Sequence, residues 1–393
     1  MAGLPIPYGH YDPNLLEPML PQRTRRLEDL AIELATKSAQ MTQGLHPIVV
    51  DSLSTLIRSM NCYYSNLIEG HRTTPKDIER ALVQDFSSDL EQRNLQLEAK
   101  AHIEVQTLLD RDPTWNTLEI VSPELIKRLH QEFYQRLPKT LWQIETMSIV
   151  PGDYRSVNVQ VGQHVPPPPE LLLKFMERFA QVYLPDRLSK VDRILAAAAA
   201  HHRFVWIHPF LDGNGRVVRL FSQGYLQRIG IGNSLWSISR GLARRVPEYR
   251  LHLAQADQQR RNDYDGRGNL SMAGLVSFCE FFLETCIDQI DFMTQLLEPT
   301  RLLQRIEADI SIAVRERDLL PGSFALLKAA FVDGDVARGK APMLTGYQER
   351  QARSVLKGLV NQGLLVADSA KGPVRLGFPI VAAEKWLPRL WAD

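Results

Sequence analysis

Cysteine is scarce in this chain: three in 393 residues, Cys62, Cys279 and Cys286, an odd number with no metal-site spacing. That excludes a disulfide framework and a thiolate metal centre, and fits a reduced cytoplasmic protein. Charge of one sign is missing too. Forty-six basic and 45 acidic side chains leave a net charge of +1, so no global field selects a polyanionic partner, and a nucleic-acid or membrane surface would have to be a local patch. Long apolar runs are absent: the longest, ILAAAAA at 194–200, falls far short of the roughly 18 to 20 residues a membrane span needs. The stretch MAGLPIPYGHYDPNLLEPML has no basic start followed by an apolar block, so no export signal is read there. What remains is the composition of a soluble globular protein, 44% hydrophobic and 23% charged, long enough for two or three domains.

Residues 1 to about 22 are proline-rich and read as an irregular arm, followed by helix up to about 48. Between Asp51 and Glu69 the apolar residues Leu53, Leu56, Ile57, Met60, Tyr64, Leu67 and Ile68 recur every three or four positions, the period of one helix face. Gly70 stops that helix; Thr74 caps the next, with Pro75 at its first position. Further helices are expected near 90–110, 122–136, 169–183, 191–206, 215–229, 247–260 and 271–296. In RSVNVQVGQHV the residues Val157, Val159 and Val161 alternate with polar ones, a strand or hairpin signal that would leave an open edge, or else a plain surface hairpin. Past a boundary near 298, helices at 300–317 and 323–331 precede a third, striped by Ala352, Val355, Leu356, Leu359 and Val360, and then two short apolar runs around a Lys-Gly turn. Helix, helix, hairpin is the order of a winged helix-turn-helix domain, placed at 299–393.

The densest chemistry lies in HPFLDGNGRVVR, His208 to Arg219. A helix opening near Gly215 presents free N–H groups and the positive end of its dipole. Gly213, Asn214 and Gly215 permit positive φ and a close backbone approach, so the loop can fold as a nest of amides around a phosphate. Arg216 and Arg219, three apart, are neighbours on one helix surface and can address a single polyphosphate. Asp212 would repel that anion unless a magnesium ion lay between them. His208, with a pKa near neutrality, can accept a proton from an incoming hydroxyl. Taken singly, each of these has a plainer reading as a turn, a structural histidine or a solvated face; twelve residues holding all of them do not. His201, His202 and His208 match no zinc spacing.

The stretch resembles the signature of Fic-family proteins, His-x-Phe-x-Asp/Glu-Gly-Asn-Gly-Arg-x-x-Arg, with every specified position filled. The similarity spans roughly 50–296 and implies a mainly α protein: a Fic-type helical bundle over 49–298, with a small β-hairpin flap, joined to the winged domain. It implies transfer of AMP from ATP, with Mg2+, to a hydroxyl of a target protein or of the chain itself. By position, His208 is the general base, Asp212 the metal ligand, and Gly213, Asn214 and Gly215 the phosphate cradle. Arg216 contacts phosphate, Arg219 the γ-phosphate, and Phe210 anchors the loop. The flap, residues 153–165 with Tyr154 to Val161 as its reactive edge, would hold the target segment by strand addition. In RNDYDGRGNLS, Asn262 and Tyr264 would border the adenine.

SNLIEG, Ser65 to Gly70, is similar to the inhibitory motif of the same family, Ser/Thr-x-x-x-Glu-Gly/Asn. Glu69 sits in the last turn of its helix, where a negative charge meets the negative dipole end at a cost of roughly 0.3 to 1 kcal/mol. The resemblance implies that Glu69 pairs with Arg219 and denies it to the γ-phosphate, with Ser65 on the same face one turn earlier. It leaves room for the reverse reaction too, removal of AMP with Glu69 orienting a water. Two other classes stay in play. Residues 345–375 hold five basic and two acidic side chains, among them Arg350, Arg353, Lys357, Lys371 and Arg375, so a nucleotide-sensing DNA-binding regulator is one alternative. The other is an adaptor in which the C-terminal domain docks a partner or stabilises a homodimer.

Overall fold

The computed structural model describes residues 12–41 and 44–391. Residues 1–11, which hold the start of the arm and half of the stretch read for an export signal, lie outside the described residues. The chain begins with α1 (Arg25–Gln40), α2 (Pro47–Ile68), α3 (Pro75–Leu82), α4 (Leu90–Arg111) and α5 (Pro123–Gln135). Local chemistry sets their starts. Thr24, Thr74, Asp89 and Ser122 each accept a hydrogen bond from a first-turn N–H, and Pro47, Pro75 and Pro123 stand at the first position, where no N–H is needed. Strands β1 (Gln143–Ile144) and β2 (Met147–Ser148) pair antiparallel. The bundle is completed by α6 (Leu172–Tyr183), α7 (Lys190–Ile207), α8 (Asn214–Arg228), α9 (Ile238–Arg244), α10 (Val246–Ala256) and α11 (Met272–Leu296).

Helix α7 is the axis. Its alanines from Ala196 to Ala200 are fully buried and too short to hold neighbours off, so α1, α6, α8 and α11 all pack against it. A helix buried on every side also takes polar groups inside, and here they are bonded. His201 meets Ser222 Oγ and Tyr249 Oη at 2.8 Å each, His202 Nε2 lies 3.2 Å from Asp257 Oδ1, and Arg203 donates twice to the Pro18 carbonyl at 2.8 and 3.1 Å. Among the described residues no cluster of three His, Cys, Asp or Glu could hold a metal, and no helix is long and apolar enough to cross a membrane. All three cysteines are buried and unpaired.

The small antiparallel hairpin is β1–β2, upstream of the alternating valines. Between 153 and 165 the backbone is extended or turning, and its one ladder contact is the bridge of Val161 with His164. The physical reason lies in Arg155, which is 4% exposed and gathers the segment onto itself. Nη1 donates to the Val157 carbonyl at 2.9 Å and Nη2 to that of Pro167 at 2.5 Å, so the carbonyls near both ends point inward to a side chain instead of across to a second strand.

After α11 come α12 (Pro299–Arg315), α13 (Ser323–Asp333), β3 (Asp335–Val336), α14 (Ala341–Thr345), α15 (Glu349–Asn361), β4 (Leu365–Val366), β5 (Val374–Leu376) and α16 (Ile380–Trp386). β5 lies between β3 and β4 and is antiparallel to both. Ala352, Val355, Leu356 and Leu359 form the buried stripe of α15. Part of the basic excess is neutralised within the segment, Arg353 by Glu349 at 2.7 Å and Arg375 by Asp368 at 2.8 Å. The chain end returns to the bundle: Leu387 and Leu390 are fully buried, and Tyr64 Oη on α2 donates to the Leu390 carbonyl at 3.1 Å.

Candidate active site

The turn from α7 into α8 is bent by two left-handed residues, His208 at φ +48° and Gly213 at φ +79°. Histidine is among the side chains that visit this region without prohibitive strain. Here Arg155 braces it, Nε donating to the His208 carbonyl at 2.9 Å and its backbone N–H to the Pro209 carbonyl at 2.9 Å. Asn214 closes the loop from within: Oδ1 accepts from the Phe210 N–H at 2.9 Å, and Nδ2 donates to the Phe210 carbonyl at 2.8 Å. Phe210 is fully buried and stacks on His130 at 4.0 Å between centroids. The Asn214 side chain is therefore engaged by the loop itself, and what it can offer a phosphate is its backbone. A Cβ on Gly213 would lie 3.0 Å from the Tyr134 ring, so only glycine fits both the dihedral and the space.

Charges converge on this turn. Arg219, 1% exposed, donates from Nη2 to Glu69 Oε1 at 2.6 Å and to the Ser65 carbonyl at 3.1 Å, and from Nε to Ser65 Oγ at 2.9 Å. Glu69 closes α2, and Gly70 and His71 satisfy the carbonyls behind it, Gly70 N–H to Leu67 O at 3.1 Å and His71 N–H to Asn66 O at 2.9 Å. Burial alone would raise the Glu69 carboxyl; the charge and hydrogen bond of Arg219 outweigh it and hold the group below its ordinary value. Glu69 Oε1 also occupies the space over the first turn of α8: a Cβ built on Gly215 would fall 2.1 Å from it. Asp212 Oδ2 accepts from Tyr134 Oη at 2.5 Å and from Arg216 Nη2 at 3.1 Å. Burial raises that carboxyl, and the Arg216 charge with the Tyr134 hydroxyl brings it below the usual range.

Burial pushes the His208 imidazolium down to about 4, so the ring is neutral at pH 7 with a lone pair open to a proton. His130 is likewise lowered to about 4 and His102 to about 3, both by burial. The unfolded chain, with histidines near 6.5, binds more protons than the native one between about pH 4 and 6.5, so stability rises with pH across that window and is lost on acidification. Each such histidine contributes at most about 1.4 kcal/mol per pH unit there. Asp110, which burial pushes up to about 6, and His71, raised by its hydrogen bond to Glu98, act in the opposite sense. Burial also lowers His201, His202 and His252, so the lowered histidines outnumber the raised groups and the urea midpoint should fall steadily from pH 7 to pH 5; a midpoint that rises would show that these histidines are not held neutral.

A cavity of about 900 Å³ opens beside the turn. Its walls include Glu69, His208, Asn214, Gly215, Arg219 and, from the 153–165 segment, Val161. Phe210, Asp212, Gly213 and Arg216 do not line it but stand on the same turn and helix start. Of the expected flap edge, Val157 and Val161 are exposed and Val159 is half-buried. Tyr154 is not at an edge: it packs inward, 5.6 Å from Phe210, with Lys127 Nζ 4.5 Å from its ring centre. Asn262 and Tyr264 do not line the cavity. Tyr264 is 100% exposed, and Asn262 turns its Oδ1 back to the Tyr264 N–H at 2.9 Å in an Asx turn. Leu253, Ala254, Gln258 and Asn269 form that wall instead. Sequence reasoning also passed over Arg155, Tyr134 and Glu98, whose partners lie 53, 78 and 118 residues away.

Residues 120–226 match the Fic/DOC family. The chain is 33% identical over 175 residues to a protein adenylyltransferase Fic of Nematostella vectensis, covering 43% of this chain and 37% of that protein. It is 42% identical over 79 residues to that of Drosophila erecta, covering 20% and 16%. It thus spans little more than a third of the first relative's length and about a sixth of the second's. Among solved structures, a Fic family protein from Desulfovibrio desulfuricans G20 superposes with a TM-score of 0.54 at 17% identity, over 91% of this chain and 98% of the other. Fic-1 from C. elegans gives 0.55 at 15% identity, over 70% and 73%. These two likenesses concern the fold. The DNA-binding alternative finds no support in these matches.

Proposed function

We propose that this protein transfers AMP from ATP to a hydroxyl side chain of a target protein, itself included, and that Glu69 holds it inhibited by occupying Arg219. The observation that carries the reading is the Glu69–Arg219 pair at 2.6 Å, set in a cavity shared by His208 and the first turn of α8. A carboxylate over an uncapped helix start displaces whatever anion that start would otherwise bind.

In the forward reaction neutral His208 removes the proton from the target hydroxyl as its oxygen bonds to the α-phosphorus; the bond from that phosphorus to the bridging oxygen breaks, and pyrophosphate leaves. Backbone N–H groups of Gly213 to Gly215 and the guanidinium of Arg216 hold phosphate oxygens, and Arg219, once released, aligns the terminal phosphate. The residues present suit a magnesium ion: both side-chain partners of Asp212 take Oδ2, its side chain is 43% exposed, and one carboxylate plus substrate phosphates is how this ion is usually held. When bound it would offset the negative charge of the phosphates. The extended segment around Val161 would present its edge to the target backbone. We also take 299–393 as a winged-helix unit that serves docking.

Intact mass of the Glu69→Gly protein after incubation with ATP and magnesium tests the chemistry and the donor together. An adduct of one AMP on the protein or an added target is expected. An adduct of a phosphoryl group alone, or none on any protein offered, would end the reading.

A further inference from the structure

The guanidinium of Arg216 is divided between carboxylates on two elements. Nη2 donates to Asp212 at 3.1 Å, and Nη1 donates to Glu98 Oε2 at 3.2 Å, from a helix 118 residues earlier. Its carbon lies 4.9 Å from the centre of the Phe133 ring, and only 7% of the residue is exposed. The two carboxylates differ in what else they can do. The Asp212 side chain is 43% exposed, whereas that of Glu98 is 12% exposed and its Oε2 also meets His71 Nδ1 at 2.8 Å. His71 lies two residues beyond Glu69, so Glu98 joins the end of α2 to the start of α8.

A carboxylate oxygen drawn toward a divalent cation is a weaker acceptor for a guanidinium, because its charge is shared. If Asp212 turns to magnesium, Arg216 keeps one anionic partner, and that partner is too enclosed for the ion to claim. We infer that Glu98 is a positioning residue, holding Arg216 in place for phosphate when Asp212 is engaged by metal. This rests on the nucleotide reading above. Without metal, Asp212 and Phe133 suffice to place Arg216; with metal, Glu98 becomes indispensable.

The test measures affinity, not turnover. Binding of α,β-methylene-ATP is titrated calorimetrically in the Glu69→Gly protein, in EDTA and in magnesium, with Glu98→Ala, Glu98→Gln, Arg216→Ala and the Glu98→Ala/Arg216→Ala pair. Glu104→Ala, on the same helix and paired with Lys100 and Arg136, serves as control. Glu98→Ala should weaken binding roughly 10-fold in magnesium, about one charge-assisted hydrogen bond, and by less than about threefold in EDTA. Glu98→Gln, whose amide oxygen still accepts from Arg216, should fall between, and it carries the test should the alanine variant not fold. Added to Arg216→Ala, the loss of Glu98 should change nothing further. Equal weakening in both media, or additivity with Arg216→Ala, would reduce Glu98 to a packing role. A Glu69→Gly parent that binds the analogue but transfers no AMP would sink the transfer reading and leave Glu98 judged by these affinities; a parent that does not bind it overturns both.

Discussion

Replacing Glu69 by glycine should raise AMP transfer by roughly 30- to 1,000-fold. The range follows from about 2 to 4 kcal/mol of alignment that a buried arginine gives to a transferring polyphosphate, at about 1.4 kcal/mol per decade. Arg219 is placed to supply it: it is 1% exposed, and besides Glu69 it is held by Ser65, which accepts from Nε through Oγ and from Nη2 through the backbone carbonyl. Removing Glu69 therefore frees one donor without releasing the side chain. The substitution should also lower apo stability, because it leaves a buried cation short of its counter-charge. Glu69 is 34% exposed, so the loss should be well under that of a fully buried pair. ATP should recover it, making the nucleotide-induced rise in Tm larger in the variant than in the parent. Glu69 has ordinary right-handed dihedrals, φ −78° and ψ −5°, so Glu69→Ala should behave like glycine and backbone freedom is not the cause. Glu69→Gln, still able to accept from Arg219, should be intermediate. Equal initial rates for parent and Glu69→Gly with labelled ATP would remove the lock.

How much of this was legible in the sequence depended on how far apart the cooperating residues stand. The turn from His208 to Arg219 could be read because its parts are neighbours along the chain: a helix end, two glycines around an asparagine, and two arginines on one face. Helix starts were equally local, since Thr74 with Pro75 or Ser122 with Pro123 carries the whole instruction in a few residues. Glu69 stood out as a charge at the wrong end of a helix dipole. What escaped were groups whose meaning is supplied by a distant partner. Glu98 lies in a helix rich in glutamates and looks like any of them until Arg216 arrives. Arg155 reads as one more polar residue ahead of the alternating valines, yet its hydrogen bonds replace the ladder those valines seemed to promise. Tyr264, an aromatic close to the motif in sequence, stands fully exposed beside an Asx turn at Asn262.

In the Glu69→Gly background, His208→Ala should lower transfer by about 100- to 10,000-fold, the range that general-base catalysis supplies. Nucleotide affinity should change little, because the groups proposed to hold phosphate lie on α8 and its preceding loop. The pH profile makes the assignment sharper. With the free-enzyme imidazolium at about 4, the base is deprotonated over the whole neutral range, so kcat/KM should climb with slope one below about pH 4 and stay level from about pH 5 to 8. Bound polyphosphate brings negative charge close to the ring and favours its protonated form, so the acid limb of kcat should sit at higher pH than that of kcat/KM. A base this weakly basic has little thermodynamic pull on a hydroxyl proton, and the shift on nucleotide binding moves it toward the strength the reaction requires. The site would thus build its base only when the donor is in place. Should the double variant transfer AMP as fast as Glu69→Gly alone, or should the two acid limbs coincide, the proton must leave by another route.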